Sequence, residues 1–167
     1  MKTKNALIFG ITGQDGSYLA KYLIKKNYSI TGICRRKNFI NLKKLGLLKK
    51  INLKLVKQDN KFQIKKILKK NFDEIYFLGG QSSVIDSFNN ERETFTSQIN
   101  PVKTILNFIL SQKKKKSKFL YAGSSEIYGN ISGTKKVKED DEKNPISPYG
   151  LSKYTAYEII KSYRQMY

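Results

Sequence analysis

Short apolar runs alternate with amphipathic stretches along the chain. The runs at 5–9, 29–34, 52–56, 74–78 and 118–122 are rich in Ile, Leu, Val, Phe or Tyr. They read as strands covered on both faces, where apolar positions run on instead of alternating with polar ones. Helical spacing fills the intervals 16–26, 41–49, 62–71 and 94–111, and a last helix starts near Pro148, a plausible first-turn proline. In the first helix, Tyr18, Leu19, Tyr22 and Leu23 mark the stripe expected to lie on a sheet. Segment 130–146 is polar, lacks apolar periodicity and reads as a loop. Strand and helix alternate, and right-handed crossovers turn that order into a doubly wound parallel α/β sheet. The expected strand order is 3-2-1-4-5, with a ligand crevice where strands 1 and 4 diverge.

The turn after the first strand sharpens this picture. Gly10-Ile11-Thr12-Gly13-Gln14-Asp15-Gly16 places a glycine at every third position between a strand and a helix. Such a turn lets backbone approach a pyrophosphate and aims the free N–H groups of the helix N-terminus at it. The cofactor-binding candidates here are Gly10, Thr12, Gly13, Gln14, Asp15 and Gly16. The expectation is therefore a Rossmann unit that binds NAD(P). Glycine runs of NTPase type end in Gly-Lys-Ser/Thr, and this one does not.

A carboxylate about twenty residues after the glycines would hold the ribose 2′-hydroxyl of NAD. No Asp or Glu stands between Gly16 and Gln58, and the second strand ends in Arg35-Arg36. A guanidinium fork suits a 2′-phosphate, so the expected cofactor is NADP. Asp59, after the third strand, is a candidate for the adenine side or a plain turn residue. After the fourth strand, Leu78, Gly79 and Gly80 allow close approach to the cofactor's central region. Gln81, Ser82 and Ser83 add polar groups at the crevice mouth, on the expected substrate side.

Tyr149 and Lys153 stand four apart on the last helix and share a face. A tyrosine is a poor base at neutral pH; a neighbouring ammonium and a positive nicotinamide ring favour its phenolate. Ser124-Ser125-Glu126 follows the fifth strand. Ser124 is placed to hydrogen-bond the oxygen being oxidised, and Ser125 joins the substrate-side group. Hydride transfer needs one proton acceptor, which Tyr149 supplies. Glu126 points to a second proton transfer, such as abstraction next to a carbonyl followed by loss of water. A bland capping role for Glu126 is the competing reading.

Composition removes other classes. The chain has 167 residues, no histidine and one cysteine, Cys34. No disulfide framework, Ser-His-Asp triad, histidine metal site or cysteine zinc cluster is available. No apolar run reaches membrane-span length, and the start lacks a signal peptide's apolar core, so a cytoplasmic protein is expected. The formal charge of +20 invites a nucleic-acid reading. Its lysines, however, are spread over every polar helix face, and the dense run 113–116 sits where a helix should end. We read a lysine-biased surface, with no nucleic-acid or membrane partner.

With these residues in place, the chain resembles the extended short-chain dehydrogenase/reductase superfamily and, within it, the GDP-mannose 4,6-dehydratase family. The resemblance rests on the opening from Ala6 to Leu19 and on Gly32-Ile33-Cys34-Arg35-Arg36. It continues through Gln81-Ser82-Ser83-Val84, Ser124-Ser125-Glu126-Ile127-Tyr128-Gly129 and the stretch from Ser147 to Tyr157. It implies a hydro-lyase that converts GDP-mannose to GDP-4-keto-6-deoxymannose through transient oxidation by NADP, a step toward GDP-fucose. Ser124, Glu126, Tyr149 and Lys153 would be catalytic, with Tyr149 and Lys153 also touching the cofactor. Segment 35–38 resembles one that meets a neighbouring subunit, which implies a homo-oligomer, dimer or tetramer. Gly123 departs from the serine common in the family, and the charged loop after Gly129 is idiosyncratic. The pattern ends inside a helix at Met166-Tyr167, so 1–167 is expected to be a single NAD(P)-binding domain cut at its C-terminal end, without the substrate region. Related epimerases or reductases, or a non-catalytic NADP-binding fragment, are the alternatives.

Overall fold

A computed structural model describes residues 3–57, 60–113, 117–131 and 136–167. Asp59 and most of the lysine run at 113–116 lie outside the described residues. The elements are β1 (Asn5–Phe9), α1 (Gln14–Lys25), β2 (Ser29–Cys34), α2 (Ile40–Lys44), β3 (Ile51–Leu55), α3 (Lys61–Leu68), β4 (Glu74–Phe77), α4 (Val84–Asn89), α5 (Glu91–Ser111), β5 (Lys118–Tyr121) and α6 (Pro148–Met166). Short 3₁₀ turns occupy Leu48–Lys50 and Ser125–Tyr128. The strands form one parallel sheet in the order β3-β2-β1-β4-β5. Both the strand positions and their order match the hydrophobic pattern, with ends displaced by no more than one residue.

Alternation along each strand divides the core into two layers. Leu7, Phe9, Ile33, Ile75 and Phe77 point to one face, where Ile64 and Leu68 of α3 and Val102 and Ile105 of α5 meet them. Ile159, Ile160 and Tyr163 of α6 pack against the same layer. Ala6, Ile8, Ile30 and Cys34 point to the other face, against Ala20 and Leu23 of α1 and Leu42 of α2. Burial on both faces is the reason these runs carry so few polar positions. The cover thins toward β5. That strand bonds only to β4, and Leu120 is 50% exposed.

Three local features depart from the periodic reading. The face of α1 that packs is Gly16, Ala20 and Leu23, while Tyr18 and Tyr22 are both 57% exposed. Small residues let the helix sit close to the sheet, which pushes the tyrosine rings to its outer flank. Helix α2 stops early because Gly46 adopts φ +66. Gly46 N–H donates to Lys43 O at 3.0 Å and Leu47 N–H to Leu42 O at 2.9 Å, the bond pair of a Schellman cap. Finally, α4 (Val84–Asn89) forms in the stretch between β4 and residue 94, where the pattern predicts no element. Ser83 Oγ caps it by accepting from Asp86 N–H at 3.1 Å, and α5 then begins three residues before 94.

The direction in which successive strands are added to the sheet reverses at β1. β1 and β2 feed α1 and α2 on one face; β4 feeds α4 and α5 on the other. The C-terminal ends of β1 and β4 are therefore the topological switch point, where open parallel sheets take their ligands.

Candidate active site

The glycine turn is built by backbone touching backbone. Gly10 has φ +78, and a Cβ there would lie 2.5 Å from Leu78 O on the neighbouring strand end. A Cβ on Gly16 would lie 2.3 Å from Gly10 O. Gly13 N–H closes the turn on Gly10 O at 3.0 Å, and Gly13 is the N-cap of α1, with no side-chain cap among the described residues. Gly13, Gln14 and Asp15 are exposed, so the uncapped helix start opens outward. An uncapped helix start of this kind can accept an anion such as a pyrophosphate. Thr12 is half-buried, and its carbonyl accepts from Asn41 Nδ2 at 3.0 Å. Asn41 is a support that sequence reasoning missed, since only folding brings α2 to the turn.

Arg35 and Arg36 emerge at the end of β2, both exposed. They face a cleft of about 810 Å³ that also takes in Lys57 and the start of α5. Arg35 is not idle there: its guanidinium pairs with Glu93 in the first turn of α5.

The loop after β4 is fixed from below. Leu78 N–H donates to Phe9 O at 3.1 Å, which ties the ends of β1 and β4 together. Gly80 has φ +104, and a Cβ there would lie 2.2 Å from Gln98 Nε2. Gln98 is 1% exposed. Its amide nitrogen donates to Gln81 O at 3.0 Å, and its oxygen accepts from Tyr121 Oη at 3.3 Å. Gln81 N–H donates to Ser97 Oγ at 3.1 Å, and its Nε2 donates to Ser83 O at 2.7 Å. Gln81 Oε1 is buried without a hydrogen-bond partner among the described residues. A buried acceptor left open at a crevice mouth invites a ligand donor. Ser82 is exposed, while the Ser83 hydroxyl is engaged in capping α4. Gln98 and Tyr121 were likewise invisible to sequence reasoning, which saw only an amphipathic helix and an apolar strand.

The proposed chemistry gathers at the C-terminal end of β5. Lys153 is 5% exposed. Its Nζ donates to Ala122 O at 3.1 Å and lies 4.8 Å from the Tyr121 ring centroid and 5.8 Å from that of Tyr149. Burial lowers its pKa from 10.5 to about 8. Tyr149 is buried in the first turn of α6. Ser147 Oγ caps that helix by accepting from Gly150 N–H at 3.0 Å. A Cβ on Gly150 would lie 2.7 Å from Glu126 O, so the absent side chain lets α6 seat against the 3₁₀ turn that carries Glu126. Ser124 Oγ caps this turn, accepting from Glu126 N–H at 3.3 Å. The capping role belongs to Ser124, and the half-buried Glu126 carboxylate is not spent on it. Ser125 is exposed beside it, and a Cβ at Gly123 would meet open space. Ser124, Glu126, Tyr149 and Lys153 are thus brought to one end of the sheet by two elements in contact.

A second cleft, of about 910 Å³, lies at the opposite end of the strands between Lys4, Tyr28, Glu74 and Tyr76. Its polar groups satisfy one another: Tyr28 and Tyr76 donate to Glu74 at 3.0 and 2.6 Å. The switch-point end is the better candidate, because parallel sheets bind at their carboxyl ends. Among the described residues no His, Cys, Asp or Glu cluster is placed to hold a metal, and no helix is long and apolar enough to cross a membrane.

Comparison with known proteins agrees with this geometry. The family model described as GDP-mannose 4,6 dehydratase matches residues 7–167. A GDP-mannose 4,6-dehydratase of Vibrio cholerae serotype O1 is 37% identical across 100% of this chain and 47% of its own length. The Homo sapiens enzyme of that name is 37% identical across 97% of this chain and 46% of its own length. This chain therefore spans about half the length of the curated relatives it matches. Among solved structures, UDP-glucose 4-epimerase of Thermotoga maritima superposes with a TM-score of 0.85 at 21% identity, over 98% of this chain and 52% of that one. The dTDP-glucose 4,6-dehydratase of Bacillus anthracis, solved with NAD, gives 0.81 at 20% identity, over 99% of this chain and 51% of that one. These distant likenesses establish the Rossmann-like fold. The match across nearly the whole chain goes further, and on it the chain belongs to the GDP-mannose 4,6-dehydratase family.

Proposed function

We propose that the protein dehydrates GDP-mannose to GDP-4-keto-6-deoxymannose with NADP as a resident cofactor. The chain contributes the dinucleotide-binding domain and the catalytic groups. The single observation that carries this reading is the meeting of α6 with the 3₁₀ turn after β5, which puts Tyr149 and Lys153 on the same sheet end as Ser124 and Glu126.

The glycine cradle and the outward-facing start of α1 would hold the pyrophosphate. Arg35 and Arg36 would meet the 2′-phosphate, with Leu78, Gly79 and Gly80 under the central region. When bound, the nicotinamide supplies a reversible hydride acceptor, taking the hydride from sugar C4 and giving it back at C6. Every proton movement falls to the chain. Tyr149 accepts the proton of the C4 hydroxyl, while Ser124 donates a hydrogen bond to that oxygen. Lys153 stands 5.8 Å from the Tyr149 ring centroid and sets a cation beside that proton acceptor. The new 4-keto group acidifies C5. Glu126 removes the C5 proton, and the C6 hydroxyl departs with a proton as water. A proton would return to C5 from the chain, and the net change would be loss of one water. Gln81, Ser82, Ser83 and Ser125 line the side from which the sugar would enter. A homo-oligomer working in the cytoplasm fits this reading, through the segment 35–38.

Glu126 also separates a dehydratase from an epimerase or reductase, neither of which needs a second proton acceptor there. The test is Glu126→Gln, assayed by mass spectrometry for loss of water from GDP-mannose and by fluorescence for NADPH binding. Dehydration should fall by a factor of about 10² to 10⁴ with NADPH binding intact. Unchanged dehydration would remove Glu126 from the mechanism.

A further inference from the structure

We propose that Glu93 is a specificity-determining residue of the dinucleotide site, acting as a built-in competitor for the guanidinium that would hold the 2′-phosphate. The inference rests on the NADP reading above and concerns how strongly that phosphate is selected.

Arg35, at the end of β2, and Glu93, in the first turn of α5, pair across the mouth of the same cleft. The cleft wall carries the cations Arg35, Arg36, Lys57 and Arg92 and the carboxylates Glu91 and Glu93. Four positive charges less two negative ones leave +2, which matches a phosphate dianion. A guanidinium offers five N–H donors in a planar fork, and the Glu93 contact engages Nη1 alone. A phosphate that takes the fork bidentately must push the carboxylate aside or lie beside it at like charge.

Both partners are exposed, 41% for the Arg35 side chain and 55% for Glu93. Such a pair adds little to fold stability, so breaking it is easy. Its influence falls on the ligand instead. Glu93 weakens the response of Arg35 to an incoming 2′-phosphate and does nothing to a ligand without one. A purely local role, favouring the N-terminus of α5 through the helix dipole, is already met by Glu91 in the same turn.

The experiment titrates 2′,5′-ADP and 5′-AMP, which differ by the 2′-phosphate, into the 167-residue chain by calorimetry. Wild type, Glu93→Gln, Arg35→Gln and the double variant are compared at two salt concentrations. Glu93→Gln should bind 2′,5′-ADP about five-fold tighter, with 5′-AMP unchanged, and the gain should vanish in the Arg35→Gln background. No gain, or an equal gain for both ligands, overturns the proposal. If wild type binds 2′,5′-ADP no better than 5′-AMP, the NADP reading itself falls. Circular dichroism melts of each variant confirm that the fold is unchanged.

Discussion

Replacing Lys153 with methionine should stabilise the fold while removing the cation that the proposed chemistry uses. Lys153 sits 5% exposed, and burial lowers its pKa from 10.5 to about 8. That gap corresponds to about 3 kcal/mol by which folding disfavours the ammonium relative to the neutral amine. Below pH 8 the ammonium persists in both states and the full penalty applies. Between about pH 8 and 10.5 the unfolded chain holds the proton and the folded chain does not, so wild-type stability rises with pH across that window. Methionine has a similar length and no charge. It forfeits the hydrogen bond to Ala122 O, worth about 1 kcal/mol. Lys153→Met should therefore be about 2 kcal/mol more stable at pH 7, and its advantage should disappear by about pH 10.5. Urea unfolding followed by far-UV circular dichroism, at several pH values for both proteins, measures the difference. A variant less stable than wild type at pH 7, or a stability difference flat with pH, would refute the reasoning.

Two further substitutions probe the supports of the crevice. Gly16→Ala drives a methyl group to 2.3 Å from Gly10 O. The displaced turn should cost about 1–3 kcal/mol in thermal melts and lower NADPH affinity at least ten-fold. Gln98→Leu removes a buried amide that bonds two groups, leaving Gln81 O and the Tyr121 hydroxyl without it. It should destabilise by about 2–4 kcal/mol in urea titrations.

The strands were legible because a sheet covered on both faces leaves a period-free apolar signature, carried most clearly by the central β1 and β2, while the less buried β3 and β5 show it more weakly. The glycine turn was legible because close backbone approach admits no other residue at Gly10 and Gly16. Helix ends were less so. The stop at Gly46 stood in the sequence as a glycine inside a helical pattern, yet the leucines on either side carry the apolar spacing past it. Helix α4 was hidden because Ser83 is both a crevice-mouth polar residue and a helix cap, and composition alone does not separate the two. Among candidate residues, Tyr149, Lys153 and Glu126 stand out by spacing and position in the sequence. Asn41, Glu93 and Gln98 do not, because each acts on a partner 17 to 58 positions away that only tertiary folding supplies.

The half-exposed Leu120 and the open side of β5 have a colloidal consequence. An edge strand offers a row of unpaired N–H and C=O groups to any second strand that reaches it. Lys118 on β5 and Lys54 on β3, at the two rims, act as gatekeepers against such pairing. A net charge of +20 keeps copies apart at low ionic strength. That protection is electrostatic and reaches only about 10 Å in 0.1 M salt. For the 167-residue chain, protection of the β3 and β5 rims therefore weakens as ionic strength rises.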